Sequence, residues 1–294
     1  MLRRQSNGQI LNYGSQPVVG VGGEARILLL REEPGLVAKV YHNPTDRHER
    51  KLAAMIANPP VDPMAAKGHV SIAWPVDLLQ TTHGAGRFVG FLMHRVAGLR
   101  PIIDYYNPRT RRQQCPLFDY RYLHRTARNL AAAVGALHLR GYVIGDVNES
   151  NTLVTESALV TLVDTDSFQV RDPQTGLVYR CPVGTPQFTP PELQNKTFAH
   201  VDRMPEHDAF GLAVLIFQLL MEGAHPYAGR YTGSGDPPPF EVRISLGHFP
   251  HGTRPRGPYR PMPAALPLGV LHPSLQELFE RCFVDGHRDP QARP

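Results

Sequence analysis

Apolar positions in the first third of the chain come in short runs separated by turn residues. Pro17 to Leu30 reads PVVGVGGEARILLL, two apolar runs around a glycine-rich break, which predicts two strands joined by a turn. Pro34-Gly35 marks a second turn, and Leu36 to Tyr41, LVAKVY, predicts a third strand. From Thr45 to Ile56 the spacing becomes helical, with Leu52, Met55 and Ile56 on one side. Val70 to Leu79 and Arg87 to Val96 are apolar runs again and predict two more strands. A small sheet with one helix fits this order.

The character changes after Ala97-Gly98. Tyr122 to Leu139 predicts a long helix whose apolar face is Leu123, Leu130, Val134 and Leu137, with Ala131 to Ala133 favouring helix. Two short strands, Thr152 to Val154 and Val160 to Val163, accompany the polar loop GDVNESN, Gly145 to Asn151. FGLAVLIFQLLM, Phe210 to Met221, is too short to cross a bilayer and is interrupted by Gln218, so it predicts a buried helix. Gly229 to Pro263 is crowded with proline and glycine and predicts a long surface segment. The expected class is α+β, with a sheet-rich lobe over residues 1–96 and a mainly helical lobe over 97–294.

Composition narrows the function classes. Hydrophobic residues make up 41% and charged residues 19%, a folded globular balance rather than a disordered one. A net charge of +5 suits an acidic small partner such as a nucleotide but does not argue for nucleic acid. Cys115, Cys181 and Cys282 are too far apart for a metal-ligand spacing, and an odd number argues against a disulfide framework. A reducing cytoplasm is expected. MLRRQSNGQI is not followed by the apolar core of a leader peptide, and no membrane association is expected.

Two groups of residues carry candidate chemistry. In the first, Gly20, Gly22 and Gly23 precede Ile27. Such a turn is either an ordinary glycine-rich hairpin or a place where backbone N–H groups approach phosphates unobstructed. Lys39, one strand on, is either an edge-strand lysine or a phosphate contact. In a cleft its amine wants a carboxylate, and Glu49 on the following helix is the expected partner, since Arg50 and Lys51 carry the wrong sign. The second group is Asp146, Asn151, Asp164 and Asp166, either two polar surface turns or a site. A hairpin-like return would bring Asp164 over Asn151, giving a carboxylate and an amide oxygen suited to Mg²⁺. Asp146 is then free to orient a hydroxyl. Asp164 directly ends the run LVTLV and is preferred as the metal ligand, with Asp166 as a second ligand or acting through water.

Taken in order, these pieces resemble the protein kinase family. GVGGEA with Ile27 is similar to its glycine-rich loop, VAK to its strand lysine, GDVNESN to its catalytic loop and VDTD to its metal-binding position. GTPQFTPPE, Gly184 to Glu192, resembles the end of an activation segment, DPQARP the arginine motif that pairs with it, and FLMHRVAG the hinge. The resemblance covers Gly20 to Pro294. It is nearest to a divergent bacterial group of Ser/Thr-kinase-like proteins, some of which carry a helix-hairpin-helix module. These residues show no such module, so DNA association is expected only through a region absent from this chain. The chain stops after the Arg-Pro pair, where a last helix is expected.

The resemblance implies ATP with Mg²⁺, Mn²⁺ being an alternative, and a protein substrate phosphorylated on Ser or Thr. It implies nucleotide contacts from Gly20, Gly22, Gly23, Ile27, Ala38, Lys39, Met93, Val96 and Leu153, with Asn151 and Asp164 on the metal. It places Asp146, Lys39, Glu49 and Thr185 in the catalytic group and Glu192 and Arg293 in a buried pair. The departures are specific. Ile144-Gly145 stands where the family has His-Arg, Asn148 where it has a lysine, and Asp166 where it has a glycine. Without that arginine, activity is not expected to depend on a phosphate in the activation segment. A nucleotide-binding scaffold without catalysis, and a small-molecule kinase, are the two alternative readings.

Overall fold

The computed structural model describes residues 1–294, the side chains of residues 15–17 aside. Its first part is a seven-stranded sheet rather than the five strands expected. The two additional strands, β1 (Leu2–Arg4) and β2 (Ile10–Leu11), form a hairpin with Leu2 opposite Leu11, both buried. Asn7-Gly8 turns it, with Gly8 in the left-handed region at φ 74°. Arg4 ties the hairpin to the sheet through Asp77 at 2.9 Å.

The glycine turn joins β3 (Tyr13–Val21) to β4 (Ala25–Leu30), and β5 (Leu36–Tyr41) coincides with the predicted strand. β6 (Pro75–Thr81) and β7 (Phe88–His94) complete an antiparallel sheet of order β2-β1-β6-β7-β5-β4-β3. Strand alternation divides β5 between two environments. Ala38 and Val40 enter a small outer core with Leu28, Leu79 and Leu92, whereas Val37 and Lys39 face the cleft. At Gly90, opposite β5, a Cβ would come within 2.0 Å of the Lys39 carbonyl oxygen, so strand packing itself demands glycine there. Helix α1 (Asp46–Ala57) starts at Thr45, whose hydroxyl accepts from the His48 N–H, and buries Leu52 and Met55.

The remainder is mainly helical. A two-residue strand, β8 (Arg100–Pro101), precedes α2 (Ile103–Tyr106), α3 (Pro108–Gln114) and the long α4 (Tyr120–His138). All four residues predicted for the apolar face of α4 are buried. β9 (Thr152–Val154) and β10 (Val160–Leu162) pair as a hairpin, followed by a second one, β11 (Val170–Arg171) with β12 (Val178–Tyr179). Helix α5 (Pro205–Leu220) is largely buried, and among the described residues no helix is long and apolar enough to cross a membrane.

The Pro/Gly-rich stretch is not wholly a surface segment. It contains α6 (Phe240–Ser245), and Ile244, Phe249 and Tyr259 within it are fully buried. Phe249 packs with Phe217 of α5 and with Phe283, and Phe217 packs in turn with Phe279 of α7 (Pro273–Glu280). Proline and glycine set the turns, but the aromatic residues between them supply core area.

Candidate active site

Two cavities meet at Ile27, Lys39 and Asp164. One, of about 540 Å³, is lined by Val19, Val37, Met93, Val96, Asn151 and Leu153. The other, of about 590 Å³, lies between the glycine turn, α1 and the segment around Tyr179. The hinge residues, the glycine turn and the metal-ligand candidates therefore surround one continuous cleft. Ala38 is the exception. It is fully buried in the outer core, and Val37, two residues before the lysine, takes the place expected of it.

The glycines of the turn are not explained by the fold. A Cβ on Gly23 would meet nothing within 4 Å, and one on Gly22 only the Ala25 carbonyl oxygen at 3.7 Å. Neither residue has a positive φ. What their missing side chains leave clear is the space over the cleft.

Lys39 does not meet Glu49. Its ammonium donates to Asp164 Oδ1 and to Asp166 Oδ1, each at 2.6 Å. Glu49 instead borders a groove with His42, Asn43, Gly86 and Phe88. The residue of α1 that enters the site is Lys51, which donates to the Asp166 carbonyl oxygen at 2.6 Å. Helix geometry accounts for this: Lys51 lies four residues before buried Met55 and three after His48, on the face that packs inward. The opposing sign comes from Asp166. Burial alone would raise that carboxyl's pKa, but the neighbouring Lys39 overrides it and holds it below the usual range. Burial pulls Lys39 down, yet Asp166 and Asp164 more than offset it and the ammonium is held above its ordinary value. Lys51 has no carboxylate within ion-pair distance among the described residues, and burial pushes it down to about 8.

Asp164 has φ 59° and ψ 35°, the left-handed region that a non-glycine residue adopts only when its surroundings enforce it. Here Val163 N–H donates to Asn151 O before it, and the Ser167 N–H and hydroxyl both donate to its carbonyl oxygen. Buried Thr165 donates to Ala73 O at 2.8 Å and pins the next residue. The Asp164 side chain is 45% exposed whereas that of Asp166 is 6% exposed.

Around Asp146 the contacts are neutral. The Thr185 N–H and hydroxyl donate to Asp146 Oδ1 at 2.8 and 2.9 Å, and the Asn148 amide donates to Oδ2 at 2.9 Å. Asn148 Oδ1 in turn accepts from the N–H groups of Ser150 and Asn151, so one side chain shapes the whole loop. Thr185 thus reaches Asp146 as expected. Asp208, not anticipated, accepts from the N–H groups of Ile144 and Gly145 and contacts His138 at 2.9 Å. An acidic residue at the head of an otherwise buried helix was its signal.

Arg203 was also missed. Its guanidinium, buried and stacked on Phe198 at 4.0 Å, donates to the carbonyl oxygens of Gly145 and Val183. Gly145 has φ 80°, and a Cβ there would come within 2.9 Å of Arg203 Nη1. Glycine at 145 thus makes room for an arginine supplied 58 residues later. Gln169 fixes the backbone of Arg203 with paired bonds of 2.8 Å each way. Glu192 and Arg293 form the expected pair, at 2.5 and 2.7 Å.

No family model matches this chain. Protein kinase YegI of Escherichia coli (strain K12) is 34% identical over 283 residues, which are 95% of this chain and 42% of that protein. Its counterpart in Escherichia coli O157:H7 is 35% identical over 270 residues, 91% of this chain and 41% of that protein. The chain spans about two fifths of the length of these curated relatives. Among solved structures, the ROP18 kinase domain in complex with AMP-PNP and sucrose covers the whole chain and 78% of its own, at a TM-score of 0.57 and 16% identity. The two-lobed fold, a sheet with one main helix above a helical lobe, is that of protein kinases. The chain thus has the protein kinase fold and is similar, over nearly all of its own length, to proteins named as protein kinases.

Proposed function

We propose that this chain transfers the γ-phosphoryl group of ATP, with Mg²⁺ or Mn²⁺, to a Ser or Thr hydroxyl of a protein. The observation that carries this is the clamp of Thr185 on Asp146. It joins a carboxylate to the segment that resembles peptide-side machinery, on the same loop as Asn151, which lines the cavity with Lys39. Adenine would lie between Val37 and Leu153, with Met93 and Val96 at its edge, and Gly20, Gly22 and Gly23 over the phosphates. Lys39 would bind the phosphates by charge and Asp146 would orient the attacking hydroxyl. Asn151 and Asp164 fit a hard cation: both line the same cavity, and Asp164 keeps one oxygen without a protein donor among the described residues. Such an ion, when bound, would offset the negative charge of the phosphates. The relatives' name supports kinase activity, and the ATP analogue named with the ROP18 structure supports nucleotide use. The free cysteines fit a cytoplasmic setting.

The test is calorimetric titration of ATP with and without Mg²⁺, together with transfer of labelled phosphate to a panel of protein substrates. Magnesium-dependent binding and labelling of Ser or Thr are expected. No binding at millimolar nucleotide sinks the reading. Binding without transfer to any acceptor points to the scaffold instead, and transfer to small hydroxyl compounds alone points to a small-molecule kinase.

A further inference from the structure

We infer that Asp166 is the positioning carboxylate of Lys39, and that Lys51 fastens helix α1 to the same residue. The inference rests on the nucleotide-site reading above. Three donors from two elements of the sheet-rich lobe converge on this one residue. Lys39 takes Oδ1 at 2.6 Å, the Tyr41 hydroxyl takes Oδ2 at 2.7 Å and Lys51 takes the carbonyl oxygen at 2.6 Å. Lys39 and Tyr41 are alternate residues of β5, so the strand presents both side chains to one face. A carboxylate with both oxygens donated to, in a nearly dry setting, is fixed in place.

Asp164 is held differently. It shares Lys39, but its side chain is half-exposed and its second oxygen has no donor among the described residues. Were Asp164 to hold a cation with Asn151, Asp166 would remain as the partner of the ammonium. Asp166 itself has no carboxylate oxygen left over, which argues against the metal-ligand role expected of it. Around one cavity Lys39, Lys51, Arg47 and Arg180 face Asp164, Asp166 and Glu24, and Arg180 has its own partner in Asp202 at 2.6 Å. A lysine on α1 beside an aspartate after the metal ligand does the work of a carboxylate on the helix. Glu49 is thereby relieved of it.

The chain has only four lysines, so side-chain NMR can follow each of them in the nucleotide-free protein. The experiment uses lysine-labelled full chain, with Lys39→Arg and Lys51→Arg to assign the signals. In Asp166→Asn, the Lys39 ammonium is expected to titrate at least about one pH unit lower than in the parent, because its burial remains and the more buried of its two carboxylate partners is gone, leaving the half-exposed Asp164. Glu49→Gln should leave that titration unchanged. Titration shifted by Glu49→Gln and not by Asp166→Asn overturns the assignment. If Asp166→Asn does not fold, nuclear Overhauser contacts in the parent decide: Lys39 methylenes to Asp166 support the assignment, and Lys39 to Glu49 overturns it. A second arm measures ATP affinity. Asp166→Asn should weaken it about tenfold while keeping its Mg²⁺ dependence, and Asp164→Asn should lose that dependence; the reverse pattern overturns the division of roles. The NMR arm involves no nucleotide, so a chain that bound no ATP would fail the nucleotide-site reading without touching the Lys39–Asp166 assignment.

Discussion

Two acids of the candidate site are held in opposite ways. Asp146 receives only neutral donors, from Thr185 and Asn148. Asp166 receives a lysine and a tyrosine on its carboxylate and a second lysine on its carbonyl oxygen. A carboxylate held by neutral donors keeps its charge for whatever approaches it. One that is ion-paired spends that charge on its neighbour and serves as a strut. On this contrast, Asp146 is the acid we propose to act on a substrate, and Asp166 the acid we propose to position another residue.

The largest expected effect tests the first half of that contrast. Asp146→Asn keeps the size and can still accept from Thr185, but it loses the charge and most of the basicity. Phosphoryl transfer should fall about a thousandfold, near the middle of the range for loss of a general base. ATP affinity should change less than about twofold. Labelling assays and calorimetry on the same preparation check this, and equal labelling by variant and parent would remove Asp146 from the chemistry.

Arg203 belongs to the neutral side although it is charged, since its described partners are two backbone carbonyls and an aromatic ring. Arg203→Met leaves those carbonyls buried without donors, at about 1–3 kcal/mol each. A destabilisation of about 3 kcal/mol in urea unfolding is expected, with transfer activity falling further than nucleotide affinity. Arg203 fastens the Asp146 loop to Val183 from within, so phosphatase treatment of the parent should leave its activity intact. Collapse of activity on dephosphorylation would show that the bolt is not sufficient.

How much of this was legible in the sequence follows the same division. β5, α4, the Asp146 loop, the Thr185 contact and the Glu192–Arg293 pair were read from local pattern or from motif order. Each depends on short-range periodicity or on residues whose spacing the family resemblance fixes. The misreadings lie where partners come from far along the chain. Glu49 was preferred to Lys51 because a cation beside Lys39 is repulsive, and nothing local reveals that a turn 115 residues away from Lys51 supplies the balance. Arg203 was invisible for the same reason, whereas Asn7-Gly8 was a local hairpin signal that went unused. Ala38 was misplaced by one residue, which in a strand means the opposite face.

Lys51 probes the charged side through pH. Its pKa lies near 8 in the folded chain against 10.5 when free. Between those values the unfolded chain binds a proton that the folded chain has shed, so this lysine makes stability rise with pH across that window. Below it, holding the ammonium in the site costs about 3 kcal/mol. Lys51→Met removes that cost and also the ammonium's bond to Asp166 O, worth about 2 kcal/mol. The variant should therefore be about 1 kcal/mol more stable than the parent at pH 7, with the parent catching up and overtaking it between pH 8 and 10.5. Urea unfolding of both proteins across that range measures it. A constant difference at every pH would mean that Lys51 is not buried as a charge.

The smallest effect on transfer separates the two donors on Asp146. The Thr185 N–H and hydroxyl share one oxygen, and removing the hydroxyl leaves the backbone donor in place. A hydrogen bond to a carboxylate contributes about 1.5–3 kcal/mol, and the Thr185 N–H stays on the same oxygen, so Thr185→Val should slow transfer about tenfold, and Thr185→Ser should restore most of the loss. Stability should move by less than about 1 kcal/mol, because the hydroxyl is replaced by a methyl of similar volume and the Asn148 amide still holds the other oxygen. Steady-state kinetics at saturating ATP reads the difference. The decisive comparison is with Thr185→Ser: a rate that stays low in the serine variant, which keeps the hydroxyl, would mean that the bond to Asp146 is not what the valine variant loses.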